Sequence, residues 1–170
     1  MSSLSVLDMK HAMACFGTGV TVITTHHDGQ DWGMTCNSFN TVSLEPAMVL
    51  WSIRNQSLSQ AAFKAARGYT VNILSSQQYA LAMRFTKGMH VERFAGLEIE
   101  RLTDHRPRIV GALAWFDCAL ESTLPAGDHD IMLGRVLGFG THPDVSMEPL
   151  LYAQQRFGSL KITPQIGVPA

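Results

Sequence analysis

The chain reads as a mainly β domain with short helices, its strands forming a closed or split β-barrel. Three observations carry that reading. Short β-branched and apolar runs recur along the 170 residues, separated only by brief helical stretches rather than the long crossovers of a doubly wound sheet. The tetrad His27-Asp28-Gly29-Gln30 is an Asp-Gly hairpin signal, so neighbouring runs pair antiparallel. Two polar stretches, Gly33 to Phe39 and Ala126 to Asp130, fall where the surrounding pattern builds a buried sheet, which points to a flat polar ligand lying across the barrel.

Each element has its own justification. Leu7, Ala14 and nearby Met and Ala residues give 6–16 a one-sided apolar helix, stopped by Gly17-Thr18-Gly19. Val20 to Thr25 is β-branched and extended. After the hairpin, Trp32 to Phe39 returns as a strand of high polar content. Glu45-Pro46 is a stop before a strand over Met48 to Ile53. Ser57 caps a helix to Ala66, with Leu58, Ala61, Ala62 and Ala65 on one face, and Gly68 ends it. Tyr69 to Leu74 is a strand, and Ser76 caps a helix to Phe85. The charged stretch 86–108 is irregular, anchored by Phe94 and Leu97. Two long strands follow, Ile109 to Leu120 and Asp130 to Phe139, joined by a turn at Pro125-Ala126-Gly127-Asp128, and 150–160 adds a last strand. With no internal repeat or linker, 1–170 is one domain with its core at about residues 7–160.

The composition narrows the function. Thirteen basic and fourteen acidic residues leave a net charge of -1, against broad nucleic-acid binding. The chain is 46% hydrophobic and only 16% charged, where about 25% charged is usual. A homodimer interface is the expected outlet for the apolar surplus, and a deep ligand pocket would serve as well. Cys15, Cys36 and Cys118 form no CxxC pair, and no apolar run approaches the length of a membrane span. The expectation is a cytoplasmic protein in a reducing compartment, with no membrane span.

Thr35, Asn37 and Ser38 beside Gly33 offer donors and acceptors for the edge of a heteroaromatic ring, with Met34, Phe39 and Ile53 as platform; a solvated edge strand would look the same. Ser57 and Ser59 stand at a helix start, where hydroxyls and free amides suit a phosphate aided by Arg54 or Arg84, or simply cap the helix. His129, between Asp128 and Asp130, either caps the turn or binds a carboxamide or phosphate. His26, His27, His90, His105 and His142 have no metal-ligand spacing and are expected in solvent. Trp32, Trp51 and Trp115 lack interleaved basic clusters and are packing residues. There is no nucleophile elbow, Walker loop or GxGxxG, and no metal motif.

Taken in order, Phe16 to Thr24, Gly33 to Phe39, Val42 to Pro46, Val49 to Ile53, Arg93 to Gly96, Gly111 to Phe116 and Gly127-Asp128-His129 leading to Gly134-Arg135-Val136 closely resemble the flavin reductase-like domain family, over roughly Leu7 to Leu160. The resemblance implies a split β-barrel of the FMN-binding type, a homodimer that holds FMN or FAD. It implies hydride transfer from nicotinamide C4 to flavin N5, with NADH favoured and NADPH possible, and delivery of reduced flavin to a separate monooxygenase. By the same resemblance Met34, Thr35, Cys36, Asn37 and Ser38 line the isoalloxazine and ribityl chain. Ser52, Ile53 and Arg54 continue the flavin-facing strand, Ser57 and Ser59 lie near the phosphate, Phe94 helps close the site, and His129 meets the nicotinamide cofactor. Cys36 stands where alanine or valine is frequent. No side chain is expected to be covalently catalytic. The other readings are a flavin-binding electron-transfer or storage module and a structural split-barrel interaction protein.

Overall fold

The computed structural model describes residues 5–87 and 90–160, with backbone alone at 90–91. In chain order the elements are α1 (Val6–Ala14), β1 (Thr18–Gly19), β2 (Thr21–His27), β3 (Gln30–Cys36), β4 (Asn40–Leu44), β5 (Ala47–Arg54), α2 (Gln60–Ala65), β6 (Gly68–Ile73), α3 (Tyr79–Arg84), α4 (His90–Arg93), β7 (Ile99–Arg101), β8 (Pro107–Ile109), β9 (Ala114–Ala126), β10 (His129–Thr141), β11 (Leu150–Ala153) and β12 (Arg156–Ser159).

Seven strands form one antiparallel sheet in the order β3-β2-β6-β9-β10-β5-β4. Its two edge strands, β3 and β4, are consecutive in sequence and joined only by residues 37–39, so the sheet must curl far enough to bring the end of β3 to the start of β4. This is the split barrel that the strand pattern predicts. The expected hairpin is present: His27 pairs with Gln30, and Asp28 and Gly29 take φ of 50° and 72°, the left-handed pair of a type I′ turn. The long β9–β10 hairpin turns at Gly127 and Asp128, with Ala126 opposite His129.

The barrel interior is filled. Trp51 is wholly buried, its ring meeting Phe63 of α2 at 5.0 Å and Tyr69 of β6 at 5.5 Å, both edge-on. Ile23, Val49, Ile53, Val71, Cys118 and Met132 complete this core. A second core lies outside the wall, where Val20, Val22 and Leu74 pack against Ala82, Phe85, Ile109 and Leu150. Asn72 fastens the outer layer by accepting from the Ile109 N–H at 2.8 Å and donating to the Val22 carbonyl at 3.0 Å.

Several elements differ from expectation, each for a physical reason. Strand β4 is mostly exposed and pairs only with β5, so it carries no apolar alternation to announce it. β7 and β8 have three residues each, too few to show a period, and they organise part of the stretch read as irregular. The second helix begins at Gln60 rather than Ser57, because Ser57 closes a turn first: its N–H donates to Arg54 O at 2.9 Å, and its carbonyl accepts from the Gln60 N–H. Ser75, not Ser76, precedes the turn into α3, and its N–H donates to the Gln78 side-chain oxygen at 3.0 Å. The strand expected over 109–120 starts at Ala114, and the strand expected over 150–160 is a hairpin whose turn residues Gln154 and Gln155 both have positive φ. Helix α1 forms as predicted, yet none of its residues is buried, and Val6, Leu7, Met9 and Met13 stay exposed.

Gly68 marks a backbone-limited contact. A Cβ there would lie 2.1 Å from the Cys118 carbonyl oxygen and 2.6 Å from Arg106 Nη1. Arg106 is itself buried and paired with Asp117 at 2.8 Å, so it has little room to yield. Gly68→Ala is expected to cost about 3 kcal/mol as overpacking, lowering Tm by about 10 °C; an unchanged Tm would show that this wall is elastic.

Candidate functional site

Alternation along β3 distributes the predicted ring-binding segment between two faces. Met34 and Cys36 turn into the barrel, where Met34 packs on the core and Cys36 is part of it. Burial pushes the Cys36 thiol up, so it stays protonated, which removes it as a nucleophile. Thr35 points the other way, beneath α3: its Oγ1 donates to Ala82 O at 2.5 Å, and its N–H reaches Phe85 O at 3.3 Å. Asn37, just past the strand, is exposed.

Ser38 and Ser52 meet directly. Ser38 Oγ accepts from the Ser52 N–H at 2.9 Å and donates to the Ser52 carbonyl at 3.2 Å, with the Cys36 sulfur 3.1 Å away. One hydroxyl thereby pins the β3–β4 link to β5 and closes the barrel. Ile53 is fully buried, whereas Arg54 at the end of β5 is exposed.

Two cavities abut at this mouth. One, of about 410 Å³, is lined by Val20, Thr35, Asn37, Met83, Thr86, Tyr152 and Phe157. The other, of about 510 Å³, lies against α1 and includes Lys10, His11, Asn37, Arg54, Tyr152 and Gln155. Asn37 and Tyr152 line both, so the two cavities adjoin at these residues. Their apolar walls and few polar groups suit an aromatic ring carrying a polar tail.

His129 begins β10 directly opposite Arg54 of β5, on the same face of the sheet. Its Nδ1 lies 2.8 Å from Asp128 Oδ1. This hydrogen bond holds the Asp128 carboxyl below its ordinary range, so it is ionised and can only accept. Nδ1 therefore carries the proton and Nε2 is the nitrogen left for a partner.

The other predicted residues are dispersed. Ser57 is half-buried, its Oγ accepting from the Ser59 N–H at 3.4 Å, while Ser59 is only 2% exposed and makes no side-chain cap. Arg84 extends toward α4, donating to Glu92 O at 2.7 Å and also to Ala95 O. Phe94 meets Phe85 edge-on at 5.1 Å in the second core, near Gly33. Among the remaining histidines, His26 is not simply solvated: it pairs with Asp31 at 2.8 Å, and Arg101 grips the same carboxylate at 2.6 and 2.8 Å. The side chain of His90 lies outside the described residues.

Sequence reading missed Lys10, His11, Met83, Thr86, Tyr152 and Phe157. The last two come from the β11–β12 hairpin, which reaches the mouth because Tyr152 pairs with Thr18 of β1. The aromatics flanking Gln154-Gln155 were the one visible signal of that hairpin. Among the described residues no three His, Cys, Asp or Glu side chains gather as a metal site, and no helix is long and apolar enough to cross a membrane.

A filled antiparallel barrel with a cofactor-sized groove at its mouth, and no activated nucleophile in it, is built to hold ligands that bring their own chemistry. The chain belongs to the flavin reductase-like domain family, whose model matches residues 13–161. It is 38% identical over 149 residues to the FMN reductase (NADH) SmoA of Agrobacterium fabrum, covering 88% of this chain and 83% of that protein. It is 35% identical over 161 residues to HsaB of Mycobacterium tuberculosis, the reductase subunit of a flavin-dependent monooxygenase, covering 95% of this chain and 84% of HsaB. The NADH:FAD oxidoreductase SgcE6 of Streptomyces globisporus, solved in complex with NAD and FAD fragments, superposes with a TM-score of 0.84 at 29% identity, over 95% of this chain and 94% of that one.

Ser38→Ala would leave the Ser52 N–H and carbonyl at the mouth without their partner. A cost of about 1–2 kcal/mol in urea unfolding is expected, with amide exchange at Ser52 accelerated more than in the barrel centre. A protected Ser52 amide in the variant would show that the closure does not rest on this hydroxyl.

Proposed function

We propose that this protein is an NADH:flavin oxidoreductase that reduces FMN or FAD and passes the reduced flavin to a separate flavin-dependent monooxygenase. The observation that carries the reading is the pair of adjoining cavities that share Asn37 and Tyr152. Bound there, flavin supplies the redox chemistry by accepting at N5 the hydride of nicotinamide C4. The chain's own residues position the two molecules. Tyr152, Phe157, Met83 and Val20 provide the apolar walls, and Thr35, Asn37 and Thr86 lie along the polar side. Met34, Cys36, Ser38, Ser52 and Ile53 form the wall behind it, and Phe94 supports that wall near Gly33.

His129 Nε2, held outward from Asp128, takes the carboxamide of NADH, or that of NADPH in the same pose. Arg54 beside it serves the phosphate end, with Ser57 and Ser59 completing the turn behind it and Arg84 bracing the α4 segment. HsaB's standing as a reductase subunit supports a monooxygenase partner here. Three free cysteines, two of them buried, support a reducing, cytoplasmic setting.

A homodimer is part of the proposal. Phe39, Phe116 and Phe139 form a chain of ring contacts at 5.9 and 6.3 Å that ends in Phe139, 72% exposed, with Leu137 and Leu44 also exposed. Sedimentation should give twice the 18.7 kDa chain mass, and Leu137→Glu/Phe139→Glu should give the single mass. A monodisperse wild-type monomer would remove the dimer.

The activity is tested by following NADH and NADPH oxidation at about 340 nm with FMN, FAD or riboflavin added separately. Flavin-dependent turnover is expected, faster with NADH. His129→Ala should raise KM for NADH about tenfold, the scale of one lost hydrogen bond, with little change in flavin Kd. Equal loss of both affinities, with the fold intact, would remove its assigned role. Tight flavin binding without nicotinamide oxidation would mark a storage or electron-transfer module, and binding of neither an interaction protein.

A further inference from the structure

Alternation along β10 turns Asp130 to the same face of the sheet as the core residue Met132, and only 4% of Asp130 is exposed. A charge is costly at such a position unless it is paired and hydrogen-bonded. Here one carboxylate oxygen, Oδ2, accepts from Gln60 Nε2 at 2.7 Å and from Lys64 Nζ at 2.8 Å. The Lys64 hydrogen bond holds the carboxyl below its ordinary range, against the desolvation that would raise it, so the group is ionised. Gln60 and Lys64 stand one turn apart on α2, which clamps the aspartate to a single helix face. That helix is itself fixed to the barrel by Phe63, whose ring meets Trp51 edge-on.

The same Gln60 amide reaches Asn55 Oδ1 at 3.3 Å. Asn55 follows directly on β5 and holds two successive carbonyls of the β9–β10 turn. Its N–H donates to Asp128 O at 3.0 Å, and its Nδ2 donates to Gly127 O at 3.3 Å. His129 is the next residue, and its ring is oriented by Asp128 Oδ1. Both neighbours of His129 are therefore fastened to Gln60, Asp130 directly and Asp128 through Asn55. None of Asn55, Gln60, Lys64 and Asp130 lines either cavity at the mouth, so any effect they have on a ligand there passes through another residue.

We propose that Asn55, Gln60 and Asp130 are positioning residues for His129, joining the turn that carries it to α2 so that Nε2 meets the nicotinamide carboxamide at one fixed place. The inference rests on the assignment of His129 to the dinucleotide donor and adds residues that touch neither cofactor. A hydrogen bond from a single ring nitrogen is directional, so its strength depends on where the ring is held. His129 sits at a hairpin tip with a third of its side chain exposed, and the amide network ties that tip to the core.

The test is a double-mutant cycle on KM for NADH, with FMN as acceptor and flavin Kd read in parallel from fluorescence quenching. Asn55→Ala and Gln60→Ala are each made in wild type and in His129→Ala. Asn55 is exposed, Gln60 is half-buried, and Gln60→Ala leaves Lys64 on Asp130, so the fold should be kept. Each single change is expected to raise KM for NADH about threefold, the scale of one lost neutral hydrogen bond, with kcat and flavin Kd unchanged. In the His129→Ala background neither should add anything, because the group they position is gone. Equal rises in KM with and without His129, or a parallel loss of kcat and flavin affinity, would overturn the proposal and leave the network a role in the fold alone. An unchanged KM in both variants, while His129→Ala alone still raised it, would also overturn the brace but uphold the histidine. His129→Ala without effect on KM would overturn both the assignment of His129 and its brace.

Discussion

Tyr69 lies across Gly134, and the rest of the structure depends on that close approach. A Cβ at Gly134 would sit 2.2 Å from the Tyr69 hydroxyl oxygen, so only glycine lets the ring lie there. The ring then meets Trp51 edge-on, and its hydroxyl reaches Met132 O at 3.4 Å. Burial pushes the phenol's pKa upward, leaving a neutral donor that can stay inside. β10 accommodates the contact through a register shift between Leu133 and Gly134, which adds the local twist a curling sheet needs. These side chains fill the barrel interior as a packed core rather than a lumen.

The mouth is assembled from ends and links rather than from strand centres. Asn37 follows β3, Arg54 ends β5, His129 starts β10, and Tyr152 arrives on a separate three-stranded sheet. Such pieces would be mobile without anchors, and each has one. Ser38 holds the β3–β4 link to Ser52, Thr35 is tied to Ala82, and Gln154 is tied to Ala14. Further back, Arg106 and Asp117 form a buried pair completed by Thr103, whose hydroxyl donates to the same carboxylate at 2.6 Å. A pair of this kind adds little net stability over an apolar one, but removing either partner would strand a buried charge. Its effect is to fix the loop after β7 against β9.

The electrostatics of the mouth agree with its shape. Lys10, His11 and Arg54 face one part of the groove, and the apolar walls of Val20, Met83, Tyr152 and Phe157 face the other. A ring with an anionic tail matches that division, and a chain that binds reactants carrying their own redox chemistry has no need of a thiolate or a metal. Cys36 illustrates the point: it sits within the segment nearest the groove, yet it faces the barrel and remains a thiol.

By itself the sequence determined the order and type of most elements, the type I′ turn at Asp28-Gly29 and the family, because alternation, turn chemistry and ordered motifs are local properties of the chain. It also singled out the stretch 33–39, of which Thr35 and Asn37 line the cavities described above. It did not determine which side chains of that stretch line a cavity: a period of two sends Thr35 outward and Met34 and Cys36 inward, but which side is the interior depends on how the sheet curls. Strands β4, β7 and β8 stayed hidden because an exposed edge and three-residue pairings leave no hydrophobic period. Only the tertiary structure joined Lys10 and Tyr152 to Arg54, since residues more than a hundred positions apart share a cavity through the pairing of β1 with β11. That pairing is made by backbone hydrogen bonds, which read no side chain and so leave no motif.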